Sequence, residues 1–286
     1  MQNIDKAHYF LSSMRVFLYQ TLNKADMGRI LVLTSLIILF QQPLSSQTVY
    51  ELPSTVEYLY PTLEDMYGYA VGKYQDYYLI FGGSINSDVP EQYPRGFPNL
   101  EILLIDLQKS RASAYTSASL EGTLAEQMNA TGLSYYQKDN ILYLLGGYGF
   151  SESNDKFITF PYITAIDLQA TVESLQRGEN PVANFFQLCD ERLAIFEGVF
   201  DYNGDEFFII NGKTAYKLRP FAEDAEYIEQ SLNGEAKSFR LSGQGINIEL
   251  KDFQNWYDMQ EFQDYFGPLL PDRIQQAVGP IRLPEQ

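Results

Sequence analysis

Arg95 is a lone cation among aromatic and turn-forming residues in EQYPRGFP, and Tyr148, Phe150, Asp155 and Lys156 lie in a second aromatic stretch, YGFSESNDKF. Ring faces beside a cation suit stacking on sugars or gripping a carboxylate. The same residues could instead pack the loops against themselves. Absences narrow the chemistry further, because His8 is the only histidine and Cys189 the only cysteine. One cysteine forms no intramolecular disulfide, and Cys189 is expected to be a small buried side chain.

From Met27 the chain reads MGRILVLTSLIILFQQPLSSQ, with one Arg, an apolar run Ile30 to Phe40, then Pro43 and the small pair Ser45-Ser46. That is the layout of a secretory signal peptide over 27–47, cleaved near Gln47. The run is about eleven residues, short of the ~20 that a membrane-spanning helix needs. No stable membrane span is therefore expected after cleavage, and with no Cys following the run, no lipid anchor. Residues 1–26 precede an apparently whole signal, so they are read as an untranslated or disordered extension, with translation starting at Met27. On this reading the mature chain has no histidine and is exported to the periplasm, cell surface or extracellular space. Ser-His-Asp and Cys-His catalysis and His-ligated zinc or copper drop out. No metal and no cofactor are expected, although carboxylate or Tyr acid–base chemistry stays open.

The charge balance is 37 acidic against 20 basic residues, a net −17, with 22 Tyr and 19 Phe. Such a surface repels phosphate backbones and anionic membranes, so nucleic acid is not an expected partner. Apolar content of 45% with 20% charged residues is that of a globular chain. Asp201-Tyr-Asn203-Gly204-Asp205-Glu206 has oxygen ligands at alternate positions, but Asn203-Gly204 between apolar runs is first of all a hairpin turn. Asn129-Ala-Thr131 matches a glycosylation sequon.

These residues sit within a repeat. YQDYYLIFGG ends at Gly83 and YQKDNILYLLGG at Gly147, 64 residues on, and YNGDEFFIINGK is a third copy with Asn211-Gly212 in place of the glycine pair. Gly82, Gly83, Gly146, Gly147 and Gly212 thus mark one structural position, where a missing Cβ permits positive φ and close packing on the main chain. LEILLIDLQ and YITAIDLQ follow the first two pairs and AKSFRLSG the third, with GINIEL after it. YGYAVG, TGLSYY and AIFEGVFDY precede them. Each unit reads as a four-stranded antiparallel sheet that buries its faces by stacking on the next. Short connecting helices are expected over Leu124–Ala130 and Ala170–Arg177.

The apolar run into a double glycine, followed by a strand with IDLQ, resembles the kelch-repeat signature over roughly residues 66–250. LYLLGGYGFSESNDKFITFPYITAIDL is similar to secreted bacterial kelch proteins that carry a C-terminal secretion-sorting domain. The resemblance implies an all-β fold of kelch-type β-propeller blades. Two departures stand out: the third copy lacks the glycine pair, and the tryptophan of kelch fourth strands is absent, with Trp256 lying beyond the repeats. Three blades over 48–250 make an incomplete ring, since propellers close with four or more. The tail 251–286 is expected to form a short amphipathic helix after Lys251, with Phe253, Trp256, Tyr257 and Phe262 near one face, ended by Pro268 and Pro271. Either this tail covers the open edge, or a second chain completes the propeller, or the reading frame is truncated.

A 64-residue period exceeds the ~50 of a kelch repeat. The surplus falls in Ser84–Asn99, Tyr148–Pro161 and Lys213–Gly234, all joining second to third strands and so crowding one face. The sequence therefore points to an exported, non-catalytic module binding a protein or glycan through that loop face. Alternatives are a carbohydrate-active enzyme, since kelch relatives include sialic-acid epimerases, and a non-functional fragment of a longer kelch protein. The copper-oxidase branch of the family needs histidines that this chain lacks.

Overall fold

The runs YYLIFGG, ILYLLGG and FFIING become central strands, each hydrogen-bonded on both sides to antiparallel neighbours. The structure is a computed structural model that describes residues 61–85, 93–222 and 225–278, all within one compact unit. The expected extension 1–26 and expected signal peptide 27–47, with His8, lie outside the described residues.

The first sheet has the order β1 (Met66–Tyr74), β2 (Tyr77–Ile85), β4 (Glu101–Asp106), β5 (Arg111–Thr116), with the two-residue β3 (Phe97–Pro98) on the far end of β2. The second runs β6 (Ser134–Lys138), β7 (Ile141–Leu145), β10 (Tyr162–Asp167), β11 (Phe185–Cys189). The third runs β12 (Val199–Tyr202), β13 (Phe207–Ile210), β16 (Ala236–Gln244), β17 (Asn247–Trp256). The fold is thus all-β, with three blade-like four-stranded antiparallel sheets at the expected positions.

Side chains alternate across a strand, and every central strand is apolar on both faces because both are covered. Leu79 and Phe81 of the first blade meet Leu142 and Leu144 of the second. Tyr143 and Leu145 of the second meet Phe207 and Ile209 of the third. Tyr78 and Ile80 form a separate cluster with Leu103 and Ile105 on the other face of the first blade. The repeat period reappears as bonds between equivalent positions at the first strands of neighbouring blades: Gln137 Nε2 donates to Lys73 O at 2.8 Å and Ser134 Oγ to Gly198 O, just before β12, at 2.8 Å, each pair 64 residues apart. The shared IDLQ is a turn device, for Asp106 accepts from Lys109 N and Asp167 from Ala170 N, both at 2.9 Å.

The glycine pairs fasten one blade to the next. Gly83 N donates to Ala130 O at 2.7 Å and Gly147 N to Ile195 O at 3.0 Å, each reaching the chain that leads into the following blade. A Cβ on Gly82 would lie 2.4 Å from Ala130 O, and one on Gly146 1.7 Å from Ile195 O. In the third blade Asn211 and Gly212 keep the same backbone, φ +57° and +100° against +62° and +92° for Gly146 and Gly147. The third copy therefore keeps the geometry of the pair. Asn enters the left-handed region readily, and its Oδ1 accepts from Gly234 N at 2.9 Å.

The tail differs from expectation. Residues 251–256 continue the last strand, so Trp256 belongs to the third blade's outermost strand rather than lying beyond the repeats, and its Nε1 donates to Ser238 Oγ at 3.0 Å. The cross-strand ladder with β16, register Lys237↔Asn255 and Ala236↔Trp256, outcompetes the helical periodicity there. Phe253 accordingly packs on the strand side, and of the four aromatics only Phe262 is helical. The helix starts later, at α3 (Met259–Phe266), capped by Asp258 and ending before Pro268, and α4 (Asp272–Val278) follows. Earlier in the chain, α1 (Gly122–Met128) and α2 (Leu168–Arg177) lie close to the two helices read from sequence. Phe262, Phe266 and Ile274 pack with Trp256 on Phe208 and Ile210, so the tail covers the face of the third blade turned away from the second. No core cluster joins the third blade to the first across their sheets among the described residues, and no closed ring forms. Cys189, expected to be buried, is exposed, because it ends the outermost strand of its sheet.

Candidate functional site

The three long connections do gather, and two of them form a fourth sheet that the sequence did not suggest. The Tyr148–Pro161 segment folds into a hairpin of β8 (Tyr148–Ser151) and β9 (Lys156–Thr159), the Lys213–Gly234 segment into one of β14 (Lys213–Lys217) and β15 (Tyr227–Ser231). They pair through β9 and β14, Ile158 opposite Tyr216 and Phe157 opposite Lys217. Thr159 Oγ1 reinforces the seam, accepting from Ala215 N at 2.7 Å. Tyr93 from the first blade's connection completes the assembly, with ring centroids 5.8 Å from Phe157 and 6.3 Å from Phe221.

Arg95 lies at the centre of an ion cluster on this face. Its Nη1 is 2.7 Å from Glu197 Oε1 and its Nη2 2.6 Å from Glu229 Oε2, while Lys213 Nζ reaches the other oxygens of both acids at 3.0 and 3.1 Å. Tyr227 OH donates to Glu229 at 2.6 Å and accepts from Arg95 Nε at 3.3 Å, and the guanidinium lies 4.8 Å from the centre of the Phe196 ring. Tyr67 OH donates to Arg95 O. Two cations thus face two carboxylates in a closed set. Burial alone would raise the Glu229 carboxyl, but hydrogen bonds from Tyr227, Lys213 and Arg95 outweigh it and bring it down to about 2. Burial, with the Glu229 bond, pushes the Tyr227 phenol up to about 12. Burial opposes the charge on Arg95, yet the bonds to Tyr227 and Glu229 and the Glu197 charge leave it raised overall.

Tyr148 lies under this cluster, 2% exposed, its ring 5.6 Å from Phe196 and 5.8 Å from Tyr227. Its OH is buried without a hydrogen-bond partner, and burial, then the neighbouring Tyr227, raises its pKa. It is a packing residue, not a contact surface. Asp155 is exposed in the β8–β9 turn and Lys156 opens β9, and neither joins the Arg95 cluster. Of the five residues proposed from sequence, the structure gathers Arg95, Tyr148 and Phe150. The spacing gave no sign of Glu197 and Glu229 as Arg95 partners, since they lie 102 and 134 residues away.

Phe150 leads to the second feature, a cleft of about 340 Å³ between α1, the first blade's connection and the β8–β9 hairpin. Tyr93, Phe97, Leu100 and Phe150 supply its apolar wall, and Glu121, Glu126 and Glu152 its acids. Glu126 is 8% exposed, and its Oε1 accepts from Ser153 N and Oγ at 3.1 and 3.2 Å. Its Oε2 has no partner. The sequon falls at the same place: Asn129 Oδ1 accepts from Ser117 Oγ, and Thr131 is buried. The supposed calcium loop is a hairpin turn, with Asn203 Oδ1 accepting from Asp205 N and Glu206 N at 2.9 and 2.8 Å. Among the described residues no three carboxylate, thiol or imidazole groups gather as a metal site. No protein-family model matches the chain and no curated protein matches it.

Proposed function

We infer that the chain is an exported, non-catalytic binding module of the kelch-type β-propeller class, gripping a protein or glycan through its loop face. The observation that supports this is where large apolar side chains meet solvent. Phe97 and Leu100 at the cleft are 41% and 47% exposed, and Tyr216, Leu218, Phe221 and Ile228 emerge from the neighbouring hairpin sheet. Large apolar groups gathered in the open on one face mark an interaction surface. The test is a panel of immobilised glycans and peptides probed with the full chain and with Phe97→Ala and Phe150→Ala. Ligands retained by the wild type and lost by both variants support the reading. Binding that ignores both substitutions places the surface elsewhere.

The meeting of Arg95 with Glu197, Glu229 and Tyr227 favours a second reading, a carbohydrate-active enzyme of the epimerase type. General acid–base groups work best with pKa values near the operating pH. Glu229 at about 2 and Tyr227 at about 12 lie far from neutrality. Each guanidinium nitrogen of Arg95 already donates a hydrogen bond within the protein. The cluster accordingly serves better as a fastening than as a catalyst. Epimerisation of an acylated amino sugar, abolished by Glu229→Gln, would reverse that ranking.

A further inference from the structure

We propose that the cleft receives a cationic side chain, a lysine or arginine on a basic peptide segment of a partner protein. The proposal rests on the loop-face reading and specifies its ligand. Among the described residues, Glu121, Glu126 and Glu152 line the cleft and no basic residue does. The ion pairs among the described residues engage other acids. Glu121 and Glu152 are exposed at the cleft, while Glu126 is buried behind them, and a carboxylate withdrawn from water without a counter-charge costs stability until something answers it. Its Oε1 is held by Ser153, which fixes the carboxylate in place, while Oε2 has no partner.

The wall fits the rest of such a ligand. Tyr93, Phe97 and Phe150 offer ring faces to an ammonium or guanidinium, and Leu100 offers apolar surface to the methylene stem. With no three acids converging as a metal site among the described residues, the arrangement suits a charge carried on an apolar stem better than a bare ion. The net charge of −17 draws such a segment in.

The experiment is fluorescence anisotropy with the full chain and a fluorescein-labelled peptide of alternating Gly and Arg, beside its counterpart with citrulline for every Arg. Chitohexaose is titrated by calorimetry as a neutral sugar probe. The E121Q/E126Q/E152Q variant is compared with E64Q/E173Q/D264N, which removes equal charge at exposed acids outside the cleft. The Arg peptide should bind about tenfold more tightly than the citrulline peptide, weaken about tenfold in the cleft variant, and change less than about twofold in the control. Added salt should weaken it. Equal binding of the citrulline peptide, or equal weakening by both triple variants, overturns the proposal. Chitohexaose binding that Phe97→Ala removes, without Arg-peptide binding, overturns the cationic ligand and leaves the loop-face reading standing. Absence of any Phe97-dependent binding overturns both. Thermal melts confirm folding, and where the triple variant fails to fold, Glu152→Gln at an exposed position carries the same test.

Discussion

The Arg95 cluster and the acidic cleft share Tyr93 and Phe150 in their surroundings, yet they treat charge in opposite ways. In the first, Arg95 and Lys213 each contact both Glu197 and Glu229, so the set is neutral. In the second, three carboxylates stand around an apolar hollow, with no cation in its lining among the described residues. Charges answered within the chain hold its loops together. Charges left unanswered beside exposed rings are available to something else.

The largest expected effect comes from breaking the answered set. Arg95→Ala leaves two carboxylates with Lys213 alone and should lower stability in urea unfolding by about 2 kcal/mol. An unchanged midpoint would mean that these pairs behave as ordinary surface ion pairs. The next effect depends on pH. Glu229 is depressed to about 2, so its contribution is complete above the ordinary carboxylate value near ~4.3 and is lost as pH falls toward 2. The stability gap between wild type and Glu229→Gln should be constant near neutrality and close on acidification, and a gap that widens in acid contradicts the assignment. Smaller still is Glu126→Gln on the other side of the comparison. Because its carboxylate lacks a counter-charge, neutralising it should shift stability by less than about 0.5 kcal/mol or raise it, whereas a loss comparable to Arg95→Ala would erase the distinction. The smallest is Tyr148→Phe, which removes a buried hydroxyl without a partner and should be neutral or stabilising by up to about 0.3 kcal/mol. A clear loss would reveal a bond for that hydroxyl in solution.

The blades were legible because their signals are local. A doubly buried strand must be continuously apolar, hence LIF and LYLL, and IDLQ carries its own turn. Asn211-Gly212 looked like decay because sequence shows residue type and not φ, although both solutions reach the same backbone. Trp256 was misplaced because its aromatic neighbours satisfy a helical period, while its actual partner, Ala236, is distant in sequence. The hairpin sheet was illegible for the same reason, as its strands are four or five residues long and its seam joins Phe157 to Lys217. At the site, Arg95 and Phe150 announced themselves as a cation and a ring in loops. Glu126 did not, being one acid among 37 until its lost solvent contact sets it apart.

The β9–β14 seam also changes how the array can come apart. Stacked repeats normally open one interface at a time, each joint failing on its own terms. Here the second and third blades are laced by a backbone ladder outside their shared core, so their separation must break that ladder as well. The two should unfold as one cooperative unit, and the amides of Phe157 and Lys217, which face each other across the seam, should exchange with solvent only when both blades open.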